Sequence, residues 1–232
     1  MAEIIPAILA KNFEDIEDDL GLILGAAPFV QIDVCDGFFV TSKSWPFVDL
    51  EDNKFKSIVA QEEGLPYWED IDFEFDLMVK NPAAKIPDFV AMGASRIIVH
   101  LDSADDDEIE NILDEYSTDE MREFGVEIGI GVSATTKMDR VEKFVPKTAF
   151  VQCMGIKKIG FQEQPFDENV IERIISLRQK FPELIISVDG GVSADNALSL
   201  VTAGANRLVV GSAIWESETP ADEITKLQEM TQ

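Results

Sequence analysis

Apolar residues in this chain fall into short unbroken runs, and each run is followed by a stretch in which apolar positions recur every three or four residues. The runs have the character of buried strands and the stretches that of amphipathic helices, so their alternation predicts repeated β-α units around a parallel sheet. Eight such pairs can be counted, with strands predicted over residues 4–9, 29–34, 72–79, 96–101, 127–132, 149–154, 184–189 and 207–211. Runs such as Ile97-Ile98-Val99 and Leu208-Val209-Val210 do not alternate with polar residues, as expected of parallel strands covered on both faces. Helical spacing is clearest over residues 12–24, 106–124, 168–180 and 194–203, and Gly25, Gly93, Gly125 and Gly204 stand where helices should stop. Eight regular units within 232 residues favour closure into a single α/β domain, a (β/α)₈ barrel over residues 1–232. The rival open doubly wound sheet lacks its Gly-x-Gly-x-x-Gly turn.

In such a barrel the reactive groups collect at the C-terminal ends of the strands, so polar residues that close an apolar run become candidates. Strand two reads Val30-Gln31-Ile32-Asp33-Val34-Cys35-Asp36-Gly37, strand three Phe73-Glu74-Phe75-Asp76-Leu77-Met78-Val79, strand four Ile98-Val99-His100, and strand seven Ser187-Val188-Asp189-Gly190-Gly191. The two-residue period places Gln31, Asp33 and Cys35 on one face of strand two. An acid at the end of a buried strand needs a partner or a purpose, which singles out Asp33, Asp76 and Asp189. Gln31 can ligate an ion through its amide oxygen, hydrogen-bond a substrate, or satisfy a neighbouring aspartate. His100, the only histidine, reads as a hydrogen-bonded structural residue, and Cys35 and Met154 read as apolar lining.

Charge narrows the range of partners. A net charge of −26 argues against nucleic acid and against anionic membrane surfaces, both of which attract Lys and Arg. The two cysteines sit in apolar runs and give no disulfide framework, which fits a reducing cytoplasm. No basic leader and no apolar run of membrane-spanning length is visible. A homo-oligomer is compatible with these features.

Pro6-Ala7-Ile8-Leu9, Asp33-Val34-Cys35-Asp36-Gly37, Leu77-Met78-Val79, Val188-Asp189-Gly190-Gly191 and Gly211-Ser212-Ala213-Ile214 together resemble the ribulose-phosphate 3-epimerases, in the family's order and over nearly the whole chain. The resemblance implies an isomerase that takes a proton from the carbon beside a ketone and returns one to the opposite face, with Asp33 and Asp189 as the two acid/base groups and a small phosphorylated sugar as partner. It also implies a divalent metal, held in the family by two aspartates and two histidines; here Gln31 and Asp76 stand at the histidine positions. An all-oxygen set of Gln31, Asp33, Asp76 and Asp189 would favour Mg²⁺ or Mn²⁺ over Zn²⁺. In the ion-free alternative, three convergent carboxylates repel and at least one takes up a proton. Ala7 and Phe38 replace a serine and a histidine of the family.

For phosphate, the resemblance points to Gly190, Gly191, Gly211 and Ser212 after strands seven and eight, with Met154 and Gly160 nearby. The family's Pro-Gly-Phe-Gly-Gly-Gln loop after strand six is replaced by residues 157–164, where Gln162 and Glu163 stand for glycines and Lys157 and Lys158 add charge. The segment 38–72 is longer than the family's and reads either as a lid or interface or as packing over the barrel edge. Two other functions fit the same residues: a catalytically silent phosphosugar-binding barrel, and a related barrel lyase or decarboxylase. The latter lacks the lysine its relatives carry at the ends of strands two and three.

Overall fold

The computed structural model describes residues 2–49 and 51–232; Met1 and Leu50, which fall in the expected domain and the 38–72 segment, lie outside the described residues. Eight parallel strands close a single barrel in chain order: β1 (Glu3–Ile8), β2 (Phe29–Cys35), β3 (Asp72–Met78), β4 (Ala94–His100), β5 (Glu127–Val132), β6 (Phe150–Met154), β7 (Ile185–Asp189) and β8 (Arg207–Val210). Pairing of Glu3 with Arg207 through Pro6 with Val210 seals the last strand to the first. Every strand lies within two residues of its predicted position, because continuous apolar runs mark strands that are buried on both faces.

The helices are α1 (Phe13–Ile23), α2 (Asn53–Val59), α3 (Ile86–Ala91), α4 (Asp106–Tyr116), α5 (Asp119–Glu123), α6 (Met138–Phe144), α7 (Asn169–Lys180), α8 (Ala197–Ala203), α9 (Ser212–Trp215) and α10 (Pro220–Met230). In α1 the side chain of Asn12 accepts from the Asp15 amide at 2.8 Å and caps the helix, while Phe13, Ile16, Leu20 and Ile23 form its buried face. Two helices differ from expectation. The stretch 106–124 breaks in two because Ser117 leaves helical geometry (ψ 29°) and Thr118 Oγ1 accepts from the Met121 amide, opening α5 afresh. The stretch 194–203 becomes helical only at Ala197, since the Asn196 side chain ties the preceding turn to Ser193 and Gly191.

The segment 38–72 packs mainly on the outside of the barrel. Trp45 is buried, tilts against Phe13 and Phe55, and donates its indole N–H to Asp52 at 2.7 Å. Trp68 stays largely exposed. Near its start the segment crosses the barrel mouth, where Val40 and Ser42 occupy the space that a Cβ at Gly160 would need.

Most of the apolar core lies between strands and helices, whereas the barrel interior is largely polar. Its floor is an ion-pair cluster: Arg96 reaches Glu3 at 3.2 Å and Glu74 at 3.4 Å, and Arg207 reaches Glu3 at 3.2 Å and Glu127 at 3.7 Å. A small apolar group of Ile5, Ala7 and Val209 also lines the interior. Further along β2, β3 and β7, toward their C-terminal ends, come the expected polar residues, as alternation along each strand requires.

Candidate active site

The register of β2 against β3 sets Gln31 beside Glu74 and Asp33 beside Asp76, and that of β6 against β7 sets Met154 beside Asp189. One carboxylate oxygen from each of Asp33, Asp76 and Asp189 lies within 4.8 Å of the others. Gln31 sits among them: its NH₂ group donates to Asp33 Oδ1 at 2.7 Å and to Asp189 Oδ2 at 2.9 Å. Gln152, on β6, donates at 3.2 Å to Gln31 Oε1 and to Asp189 Oδ2 and at 3.3 Å to Asp76 Oδ2, and its own carbonyl accepts from Ser187 Oγ at 3.1 Å. His100 Nε2 lies 2.8 Å from Asp76 Oδ1.

Sequence reasoning did not single out Gln152 or Ser187 as site residues. A signal for Gln152 exists: it is the one polar side chain in the apolar strand Phe150-Val151-Gln152-Cys153-Met154, two residues before Met154 and so on the same face. Ser187 stands in the same relation to Asp189.

Burial separates the roles. Asp76, Gln31 and Gln152 are fully enclosed, whereas Asp33 and Asp189 are 9% and 8% exposed and open into a cleft at the barrel mouth. Its walls include Met154, Gly160, Gly190, Gly191, Gly211 and Ser212, so the structure brings these expected residues together around the two aspartates. Lys157 and Lys158 are not among the lining residues. The Lys157 side chain is 78% exposed, and Lys158 lies over the Phe161 ring. Glu163 lines the cleft with a left-handed backbone (φ 57°), a conformation that suits the glycine it replaces.

Burial, followed by the charges of Asp189 and Asp76, pushes the Asp33 carboxyl well above the usual carboxylate range. Burial and then Asp76 raise Asp189 to about 7. Around neutral pH the pair therefore holds a proton that isolated aspartates would have lost. Burial alone would disfavour the His100 imidazolium, but the Asp76 carboxylate outweighs it and His100 titrates above its usual value. Burial drives the Cys35 thiol up to about 12, which leaves it inert as a nucleophile beside Met78 and Val40.

Gly131 of β5 makes room for His100, since a Cβ there would come within 2.8 Å of the imidazole. Gly131→Ala is expected to push His100 away from Asp76 and to cost about 1–3 kcal/mol, as overpacking in a closed core does. Thermal unfolding measures this directly, and an unchanged midpoint would refute it.

The family model described as "Ribulose-phosphate 3 epimerase family" matches residues 3–215. The chain belongs to this family. It is 30% identical to a ribulose-phosphate 3-epimerase of Aquifex aeolicus over 99% of this chain and 97% of that one. It is 27% identical to a chloroplastic ribulose-5-phosphate-3-epimerase of Arabidopsis thaliana over 94% and 73%. The fold recurs in 3-hexulose-6-phosphate synthase from Salmonella typhimurium (TM-score 0.69, 15% identity, 99% of this chain and 98% of that one). It recurs again in KGPDC from Streptococcus mutans in complex with D-ribose 5-phosphate (TM-score 0.72, 12% identity, 99% and 97%). No helix among the described residues is long and apolar enough to cross a membrane.

Ribulose-phosphate 3-epimerases generally bind a divalent metal. Three carboxylates at this spacing could share a hard cation, but the amides around them have the wrong polarity. Gln31 and Gln152 turn N–H donors, not carbonyl oxygens, toward the carboxylates, and an N–H donor cannot ligate a cation. As arranged, the residues present do not fit a metal.

Proposed function

We infer that this protein is an isomerase that epimerises a phosphorylated ketose of the ribulose 5-phosphate type at carbon 3. The observation that carries this reading is that, of the three clustered carboxylates, only Asp33 and Asp189 reach the cleft, from strands on different sides of the barrel. One proton shared by the pair leaves one carboxylate as base and one carboxylic acid as donor, the requirement for removing a proton from one face of a carbon and returning one to the other.

Either aspartate can start in either state, which makes the reaction reversible through the same groups. Asp76, paired with His100, keeps a negative charge behind the pair and so favours retention of the shared proton. On the opposite wall, Gly190, Gly191 and Gly211 expose backbone where a phosphate could approach without a Cβ in the way.

The test is turnover of ribulose 5-phosphate in D₂O. The expected product is xylulose 5-phosphate carrying deuterium at carbon 3. One observation favours a second reading, a barrel that binds phosphosugars without turning them over: Glu163 lines the cleft and no Lys or Arg does. Tight ligand binding with no deuterium exchange would select that reading over the first.

A further inference from the structure

We propose that Gln31 takes the place of the family's metal ion as the positioning group between Asp33 and Asp189, so that this site operates free of metal; the proposal rests on the epimerase reading above. A cation holds two carboxylates together by charge, whereas a carboxamide does so with two N–H donors and adds no net charge. Gln31 supplies both donors, one to each aspartate, at 2.7 and 2.9 Å.

The direction of the amide follows from its neighbours. Ser187 donates to the Gln152 carbonyl, which turns the Gln152 NH₂ toward Gln31 Oε1 and leaves the Gln31 NH₂ facing the aspartates. Reversing Gln31 would set its carbonyl oxygen against two carboxylate oxygens and its NH₂ against that of Gln152. Both contacts are repulsive, so the chain from Ser187 through Gln152 to Gln31 is self-consistent only without a cation.

This accounts for two substitutions at once. Gln31 stands where the family's imidazole would ligate, and Gln152 is a second enclosed amide whose hydrogen bonds hold the first in orientation. Asp76, at the other histidine position, is held by His100 and Gln152, so each of the three carboxylates accepts at least one hydrogen bond from protein donors.

The decisive comparison is Mn²⁺ binding, read from the electron paramagnetic resonance of free Mn²⁺ during titration of the full-length wild type and of Gln31→Glu. Gln31→Glu keeps the shape, removes both donors and adds an oxygen ligand. The wild type is expected to show no stoichiometric Mn²⁺ site and to keep its activity after exhaustive chelation. Gln31→Glu is expected to bind Mn²⁺ on the order of tenfold tighter or more, because added ligand charge raises affinity for hard cations, and to gain thermal stability when Mn²⁺ is added.

Stoichiometric Mn²⁺ in the wild type, or loss of its activity on chelation with recovery on adding Mn²⁺, Mg²⁺ or Zn²⁺, would overturn the proposal. So would a folded Gln31→Glu with no gain in Mn²⁺ affinity. Should that variant fail to fold, the wild-type titration decides alone. Metal binding is read without turnover, so a metal-free but inactive wild type would refute the epimerase reading and not this one. Metal-dependent turnover would do the reverse.

Discussion

Asp33→Asn and Asp189→Asn are each expected to lower kcat for carbon-3 epimerisation by about 10²–10⁴-fold, the usual worth of a positioned acid/base group, while making the folded protein more stable above neutral pH. The two effects share a cause. Both carboxyls titrate higher in the folded protein than in the unfolded chain, Asp189 at about 7 against 3.8. Between those values the folded state binds more protons, so these groups make stability fall as pH rises from about 4 to 7. Above that window the ionised, mutually repelling pair costs on the order of a few kcal/mol. An asparagine carries no charge to desolvate and removes much of that cost. Denaturant midpoints at pH 5.5 and 8 would show the wild type weaker at the higher pH and the variants with a smaller difference. A variant retaining near wild-type kcat would remove that aspartate from the mechanism, and an unchanged pH dependence of stability would contradict the raised titration.

At the opposite end of the barrel, Arg96→Met is expected to destabilise the protein by about 3–5 kcal/mol at pH 8, the cost of leaving a buried charge without its partner. Glu74 is 1% exposed; burial raises it to about 7, and Arg96 leads the groups that oppose the rise. Without Arg96 the carboxyl would titrate higher still. The loss should therefore shrink at pH 5.5, where a protonated Glu74 needs no counterion. Adding Glu74→Leu to Arg96→Met should recover much of the loss, since a buried ion pair can be replaced by packed apolar groups at little cost. Equal destabilisation at both pH values, or no rescue by the double substitution, would show that Arg96 acts through its packing against Phe29, over whose ring it lies at 3.7 Å.

The barrel, its strand positions and the gathering of Asp33, Asp76 and Asp189 were legible in the sequence, because burial on both faces writes a strand as an unbroken apolar run and any acid within it stands out. The broken helix at Ser117 and the late start of α8 were not, since both depend on side-chain hydrogen bonds that compete locally with helix formation. The floor cluster was equally hidden: Glu3, Glu74, Arg96, Glu127 and Arg207 come from five strands, and nothing in one strand announces its partners in another.

The sequence by itself determined which side chains enter the barrel, because alternation along a strand is a local property of the backbone. Only the tertiary structure decided what they do there. Gln31 could have been a ligand, a substrate contact or a partner for aspartate, and its orientation depends on Gln152, which lies 121 positions away. Which carboxylates face the cleft and which stay enclosed depends likewise on how the strands close around them. Hydrogen-bond polarity and solvent access belong to the assembled barrel, not to any segment of the chain.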